Sequence, residues 1–271
     1  MSLSLCLNGF NGSPFIGGDG DVESWVEATA QAGFTLFAPD KFSLTAYQAR
    51  GGTLTALARR MRDAGVGCGF IGAAAVLGAA ELAQDMAFSR QAAETLGAGF
   101  VQVNGIAPHG PARVAALRTA CAALAGSGIR LAMEYMPFTA LARAGETADL
   151  AALAGENEAG VVVDLWHHAH GPDTWADLVA LPLSSIAYLE FSDAPPVQGA
   201  DLAAETLNRR VFPGEGVLDA ARFAQFYRQA GYAGMVSVEV LNAAWRQRPA
   251  AEQAARAFAS AAPYWLHNGA D

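Results

Sequence analysis

The chain has 271 residues, 52% hydrophobic and only 16% charged, a composition that builds a sizeable core and argues against disorder. Its formal net charge of -9, with arginines scattered along the chain, excludes the electrostatic footprint of a nucleic-acid binder and leaves small molecules as the expected partners. No apolar run approaches the roughly 20 residues of a bilayer span, and the amino terminus lacks a basic segment ahead of a long apolar stretch, so the expectation is a cytoplasmic protein without membrane contact.

Short β-branched or apolar runs alternate with longer Ala/Leu-rich stretches of helical period. In chain order the spacing predicts strand 3–8 and helix 22–31, strand 35–38 and helix 53–63, strand 67–71 and helix 79–95, strand 100–104 and helix 111–124. It continues with strand 130–134 and helix 147–154, strand 160–164, strand 186–191 and helix 219–230, and strand 235–240 followed by helix 250–261. Glycine-containing turns at 64–66, 126–128 and 231–234 end helices ahead of strands, and stretches 8–21 and 39–51 read as loops. Eight βα units without a domain-sized change of composition predict an α/β protein, a single-domain (β/α)8 TIM barrel over residues 1–271. An open doubly wound sheet is the alternative, but no Gly-x-Gly-x-x-Gly follows a strand.

In such a barrel the reactive groups sit at the carboxyl ends of the strands. Four consecutive predicted strands end on an acid after an apolar run: Glu134, Asp164, Glu190 and Glu239. Side chains alternate across a strand, so an inward Glu134 implies an inward Ala132, with Val162, Tyr188 and Ser237 in the layer beneath the acids. A lone acid at a strand end is ordinarily a helix N-cap or an ion-pair partner. Four converging acids raise one another's pKa or demand a cation, and oxygen-only ligation suits Mn2+ or Mg2+ before Zn2+.

Three of the five histidines, His167, His168 and His170, follow Asp164 in the stretch Asp164-Leu165-Trp166-His167-His168-Ala169-His170. His167 is placed to reach a substrate hydroxyl, His168 is a weaker candidate for substrate contact, and His170 ahead of Gly171-Pro172 reads as loop. A zinc site made of histidines alone is the rival reading, and it leaves the acids unexplained. Cys6, Cys68 and Cys121 are odd in number and widely spaced, which suits reduced packing thiols. Asn8, Lys41, Gln102 and Asn104 are further residues able to reach the mouth, and Phe10, Phe15, Phe37, Phe42, Trp25 and Trp166 belong either to its walls or to the core.

From Glu134 to about Arg246 the sequence resembles the xylose isomerase-like barrels of the sugar phosphate isomerase/epimerase superfamily. The resemblance rests on Met133-Glu134-Tyr135-Met136-Pro137, Val163-Asp164-Leu165-Trp166-His167-His168, Phe191-Ser192-Asp193-Ala194-Pro195, Arg210-Val211-Phe212-Pro213-Gly214-Glu215-Gly216 and Val236-Ser237-Val238-Glu239-Val240. It implies that Glu134, Asp164 and Glu239 ligate a divalent metal, that Glu134 and Glu239 double as the acid/base pair, that His167 touches substrate, and that Arg210 steadies a substrate oxygen or anion. Where such barrels offer His or Gln on strand seven, this chain has Glu190, which either completes a metal site of four acids, pairs with an arginine, or stays protonated. Glu215 reads as a solvent-exposed turn acid.

The implied activity is metal-dependent isomerisation or epimerisation of a sugar-like polyol by proton transfer through an enediolate. Loss of a β-hydroxyl from the same kind of site would instead make a dehydratase of a keto-hydroxy acid, and the ending Glu239-Val240-Leu241-Asn242 with Trp245-Arg246 resembles the dehydroshikimate dehydratase branch. A catalytically idle sugar-binding barrel and a phosphodiester-cleaving enzyme of the endonuclease four type are the remaining alternatives. An exposed apolar helix face would favour a homodimer.

Overall fold

Each predicted strand segment joins one parallel sheet in the computed structural model, which describes residues 3–105, 110–155 and 157–266. The strands are β1 (Ser4–Asn8), β2 (Leu36–Ala38), β3 (Gly67–Cys68), β4 (Phe70–Val76), β5 (Phe100–Asn104), β6 (Arg130–Glu134), β7 (Ala159–Asp164), β8 (Ile186–Phe191) and β9 (Met235–Val238). Their order is β3-β2-β1-β9-β8-β7-β6-β5-β4. Only Gly69 separates β3 from β4, so the order begins and ends on one stretch of chain and the sheet closes on itself. The break has a steric reason: a Cβ at Gly69 would lie 2.7 Å from Met235 Sδ and 2.8 Å from Cys6 Sγ inside the barrel. A parallel bridge between Asp40 and Gly72 spans the seam. The molecule is a single-domain (β/α)8 TIM barrel, and the open-sheet alternative falls.

Outside the barrel run α1 (Val22–Ala32), α2 (Lys41–Ala49), α3 (Leu54–Asp63), α4 (Leu82–Leu96), α5 (Pro111–Leu124), α6 (Ala144–Ala152), α7 (Leu165–His170), α8 (Trp175–Ala180), α9 (Leu202–Asn208), α10 (Ala220–Gln229) and α11 (Ala250–Trp265). Two readings from the sequence are corrected here. Stretch 39–51 is not a loop: Asp40 accepts hydrogen bonds from the backbone N–H of Phe42 and Ser43 and so starts α2. Residues 165–170 are not loop either, because Asp164 accepts the Trp166 N–H at 2.6 Å and caps α7 directly off β7. The histidine spacing therefore follows helical geometry.

The large core lies between barrel and helices, where Leu5, Leu7, Val101, Val103, Leu131, Met133, Val161, Val163, Leu189 and Val236 face outward. The alternate residues Cys6, Ala132, Val162, Tyr188 and Met235 point inward and fill the barrel with Phe70, which stacks on Tyr188 at 4.4 Å between ring centroids. This plug lies one layer below the acids, as the period of two requires. Cys6, Cys68 and Cys121 are free thiols.

Candidate active site

The four acids are brought together by register. Asp164 and Glu190 are directly paired partners on β7 and β8, Glu190 is level with Ser237 on β9, and Glu134 is level with Asn104 on β5. Glu239 follows β9 by one residue, its backbone N–H still donating to Phe191 at 3.3 Å. One oxygen from each of Glu134, Asp164, Glu190 and Glu239 lies within 4.8 Å of the others.

Above them opens a cavity of about 320 Å3. Glu134, His167, Arg210 and Glu239 form its polar floor with Asn8, Gln102 and Asn104, while Asp164 and Glu190 are fully buried beneath it. Glu134 Oε2 accepts Gln102 Nε2 at 3.2 Å and Asn104 Nδ2 at 2.7 Å. Glu239 Oε1 accepts Asn8 Nδ2 at 2.9 Å, and the same amide reaches Glu190 Oε1 at 3.2 Å. Asn8, Gln102 and Asn104 are thus donors aimed at acids, and Lys41 also lines the cavity but pairs with Asp85 at 2.6 Å.

Arg210 is the resident cation of the cluster. Its Nη1 lies 2.7 Å from Asp164 Oδ2 and 3.1 Å from Glu239 Oε2, Thr206 Oγ1 accepts its Nε and Nη2 at 3.0 and 2.7 Å, and its guanidinium lies 5.5 Å from the Trp166 ring centroid. The expectation that Arg210 steadies a substrate oxygen or anion meets this geometry: it borders the cavity, but its charge is shared by Glu239 of the floor and Asp164 beneath it. Thr206 gave no signal in the sequence, because the short helix α9 carries little periodic pattern, and Ser192, which accepts Arg210 Nη1 at 3.4 Å, stood in the Phe191-Ser192-Asp193-Ala194-Pro195 motif without a role of its own.

The two neighbouring histidines part company. His167 borders the cavity with Nε2 3.2 Å from Glu134 Oε1 and 3.8 Å from Asp164 Oδ2. His168, expected at the substrate, is absent from the lining and packs edge-on to Trp175 at 6.4 Å, since consecutive residues of α7 are turned about 100° apart. His170 stacks on Trp166 at 4.2 Å and bonds the Trp166 carbonyl. Of the aromatic candidates, Phe10, Phe15 and Phe42 line the mouth as a stack, joined by Phe138. Phe37, Trp25 and Trp166 are core. Glu215 pairs with Arg256 at the surface, as a turn acid does.

The charges decide how the acids can ionise. Burial, reinforced by Glu239, Glu134 and Asp164, pushes the Glu190 carboxyl well above the usual carboxylate range, and its Oε2 is buried without a partner. Burial also raises Glu239, and although Arg210 pulls it back, it is pushed up to about 8. At Asp164 burial is outweighed by Arg210, His167 and the Trp166 N–H, which hold it below its ordinary value. Arg210 supplies one positive charge against four carboxyls. The donor set fits a hard divalent cation: all oxygen, convergent, with one orphaned buried acceptor.

The profile of the xylose isomerase-like TIM barrel family matches residues 26–261, and the chain belongs to that family. The resemblance read from the sequence is borne out. Among curated proteins, inosose isomerase of Halalkalibacterium halodurans is 28% identical over 128 residues, 46% of this chain and 44% of that protein. A 3-dehydroshikimate dehydratase of Pseudomonas aeruginosa is 28% identical over 123 residues, 45% of this chain and 19% of that protein. The matched stretches thus span less than half of either relative. Among solved structures, the IOLI protein with a bound zinc atom superposes with a TM-score of 0.81 at 16% identity, covering 96% of this chain and 97% of that one. D-allulose 3-epimerase from Methylomonas sp., in complex with D-allulose, gives 0.73 at 14% identity, with 95% and 96% covered. No helix among the described residues is long and apolar enough to cross a membrane.

Proposed function

We propose that this chain is a divalent-metal-dependent isomerase or epimerase of a neutral keto-polyol, with Glu134 and Glu239 exchanging the proton on the carbon beside the carbonyl. The observation that supports it most is the placement of these two carboxylates on the floor of one cavity. Each is gripped through one oxygen by side-chain amides, Glu134 by Gln102 and Asn104 and Glu239 by Asn8. Fixed carboxylates on two sides of one small pocket are what removal and return of a proton require. Glu134, Asp164, Glu190 and Glu239 would hold the ion, which when bound supplies Lewis acidity toward a carbonyl oxygen. His167 Nε2 is positioned to hold a substrate hydroxyl, and the aromatic rim of Phe10, Phe15, Phe42 and Phe138 excludes water and packs on C–H faces.

A neutral substrate is favoured because both cations among the described lining residues are committed, Lys41 to Asp85 and Arg210 to Asp164 and Glu239. The test is isotope exchange: inosose-type and ketohexose substrates are incubated in D2O with the Mn2+-loaded protein. Deuterium entering at the carbon next to the carbonyl, and ceasing with chelator, is the expected result. A fully metal-loaded protein that exchanges none of them would sink the reading.

The dehydratase reading draws on the similarity to 3-dehydroshikimate dehydratases of two Pseudomonas species. It places an acid carboxylate in a pocket whose cations are occupied, and it is recognised by an ultraviolet-absorbing conjugated product in place of deuterium uptake.

A further inference from the structure

The segment 210–218 begins with Arg210, and a single carboxylate outside the cavity holds it. Asp193, which follows β8 by two residues, is 1% exposed and is not among the cavity-lining residues. Its Oδ1 accepts the backbone N–H of Ala194 at 2.8 Å and Leu218 at 2.9 Å, and its Oδ2 accepts those of Gly214 at 3.1 Å and Gly216 at 3.0 Å. Its main chain exchanges hydrogen bonds with Val211 at 3.0 and 2.8 Å, and Ala194 accepts the Val217 N–H at 2.8 Å. Among the described residues no Lys, Arg or His forms an ion pair with Asp193; the anion is satisfied by backbone dipoles in a nest.

The Pro213-Gly214-Glu215-Gly216 turn is built for this wrapping. Gly214 has φ +84°, and a Cβ at Gly216 would meet Asp193 Oδ1 and the Ala194 carbonyl at 2.3 Å. One residue before the clamp, Arg210 is tied on its other side, its N–H donating to Leu241 at 3.0 Å and its carbonyl accepting Asn242 Nδ2 at 2.8 Å. The Arg210 backbone is thereby pinned from two directions, and its guanidinium arrives between Asp164 and Glu239.

We infer that Asp193 is the positioning residue that sets Arg210 in the acidic centre, acting through the turn it nucleates and touching no substrate. The inference deepens the proposed function, since it assigns a source to the placement of Arg210, but it does not depend on which reaction the site performs.

The test reads Arg210 directly. In 15N-labelled protein the buried Nε–H of Arg210 gives a protected side-chain signal, assigned by its disappearance in Arg210→Lys. Asp193→Asn keeps the volume but removes the charge and turns an N–H toward donors; the expected result is loss of the Arg210 signal to solvent exchange while the β6 and β7 amides stay protected. Gly216→Ala leaves the carboxylate in place and displaces the turn, so the same loss is expected, and this variant decides the matter if Asp193→Asn does not fold. Retention of the Arg210 signal in a folded variant whose 214, 216 and 218 amides have lost protection would overturn the inference. The signal is read without substrate, so a protein that behaves as expected yet catalyses no exchange would refute the proposed reaction and leave the role of Asp193 standing. Where turnover is found, Asp193→Asn lowers kcat/KM in the native background and adds no further loss to Arg210→Lys, a non-additivity that a merely structural role would not produce.

Discussion

Arg210 on the cavity floor and Asp164 beneath it form an ion pair, with Nη1 and Oδ2 2.7 Å apart and both side chains at most 1% exposed. The pair explains how four carboxyls share one barrel mouth whose other lining cation, Lys41, is committed to Asp85: one acid is held ionised, and the burden of burial falls on Glu190 and Glu239. Removing the arginine leaves an uncompensated buried charge. Arg210→Met is expected to destabilise the metal-free protein by about 3–5 kcal/mol in denaturant titrations near neutral pH. Millimolar Mn2+ should restore part of that loss by mass action. A variant as stable as the native protein would show that the pair is energetically idle.

Glu190 and Glu239 shape the pH dependence of the metal-free protein, with buried Asp40 raised in the same sense and His168, held below its ordinary value by burial, opposing them. Both carboxyls titrate higher in the folded chain than in the unfolded one, Glu239 moving from 4.5 to about 8. Between those values the folded state binds more protons, so the stability contributed by this pair is present below pH 4.5 and is lost as pH rises toward 8. Asp164, shifted the opposite way, is already ionised in both states over that window. Thermal melts in chelator should therefore fall in midpoint from about pH 5 to about pH 8, and a saturating divalent cation should flatten the slope by replacing the protons. A midpoint that climbs through this range contradicts the assignment.

Glu190 departs from the strand-seven residue expected of such barrels, and three substitutions define its part. Glu190→Gln removes the ionisable group and should weaken the pH slope of the metal-free melt. If Glu190 is a ligand, Glu190→His is expected to keep the metal and to give equal or higher exchange activity. Unchanged Mn2+ affinity in Glu190→Ala, which leaves no donor atom at this position, would mean that three acids suffice to hold the ion.

Glu239→Gln and Glu134→Gln each preserve volume and the amide contacts while removing a proton carrier. Either should lower the exchange rate by about 10²–10⁴-fold with a native circular dichroism spectrum. Full activity in Glu239→Gln would remove it from the acid/base pair.

His167 and His168 give a sharper contrast. His167→Ala is expected to raise KM for a keto-polyol, whereas His168→Ala, whose side chain packs on Trp175, should leave KM unchanged. Equal effects on KM would contradict the separation of the two rings.

The barrel and its four acids were legible in the sequence because both depend on periods. An inward side chain every second residue places Ala132, Val162, Tyr188 and Ser237 under Glu134, Asp164, Glu190 and Glu239 whatever the loops do, and the strand ends must meet once the sheet closes. What the periods could not give was the partnering of those acids. Arg210 lies 46 residues from Asp164 and reaches it through a non-periodic segment shaped by the Asp193 carboxylate and the Gly214 and Gly216 turn. His168 was misread for a related reason: adjacent residues look equivalent in sequence until a helix beginning at Leu165 turns one toward the cavity and the other toward Trp175. Asp40 could have announced α2, since an Asp ahead of Lys41-Phe42-Ser43-Leu44 is an N-cap signal. The local pattern, then, determined which residues line up at the mouth, because alternation is a property of the backbone alone. Which of them are neutralised, protonated or open to a ligand was decided by contacts between distant segments, because electrostatic energy depends on distances in space that no spacing along the chain encodes.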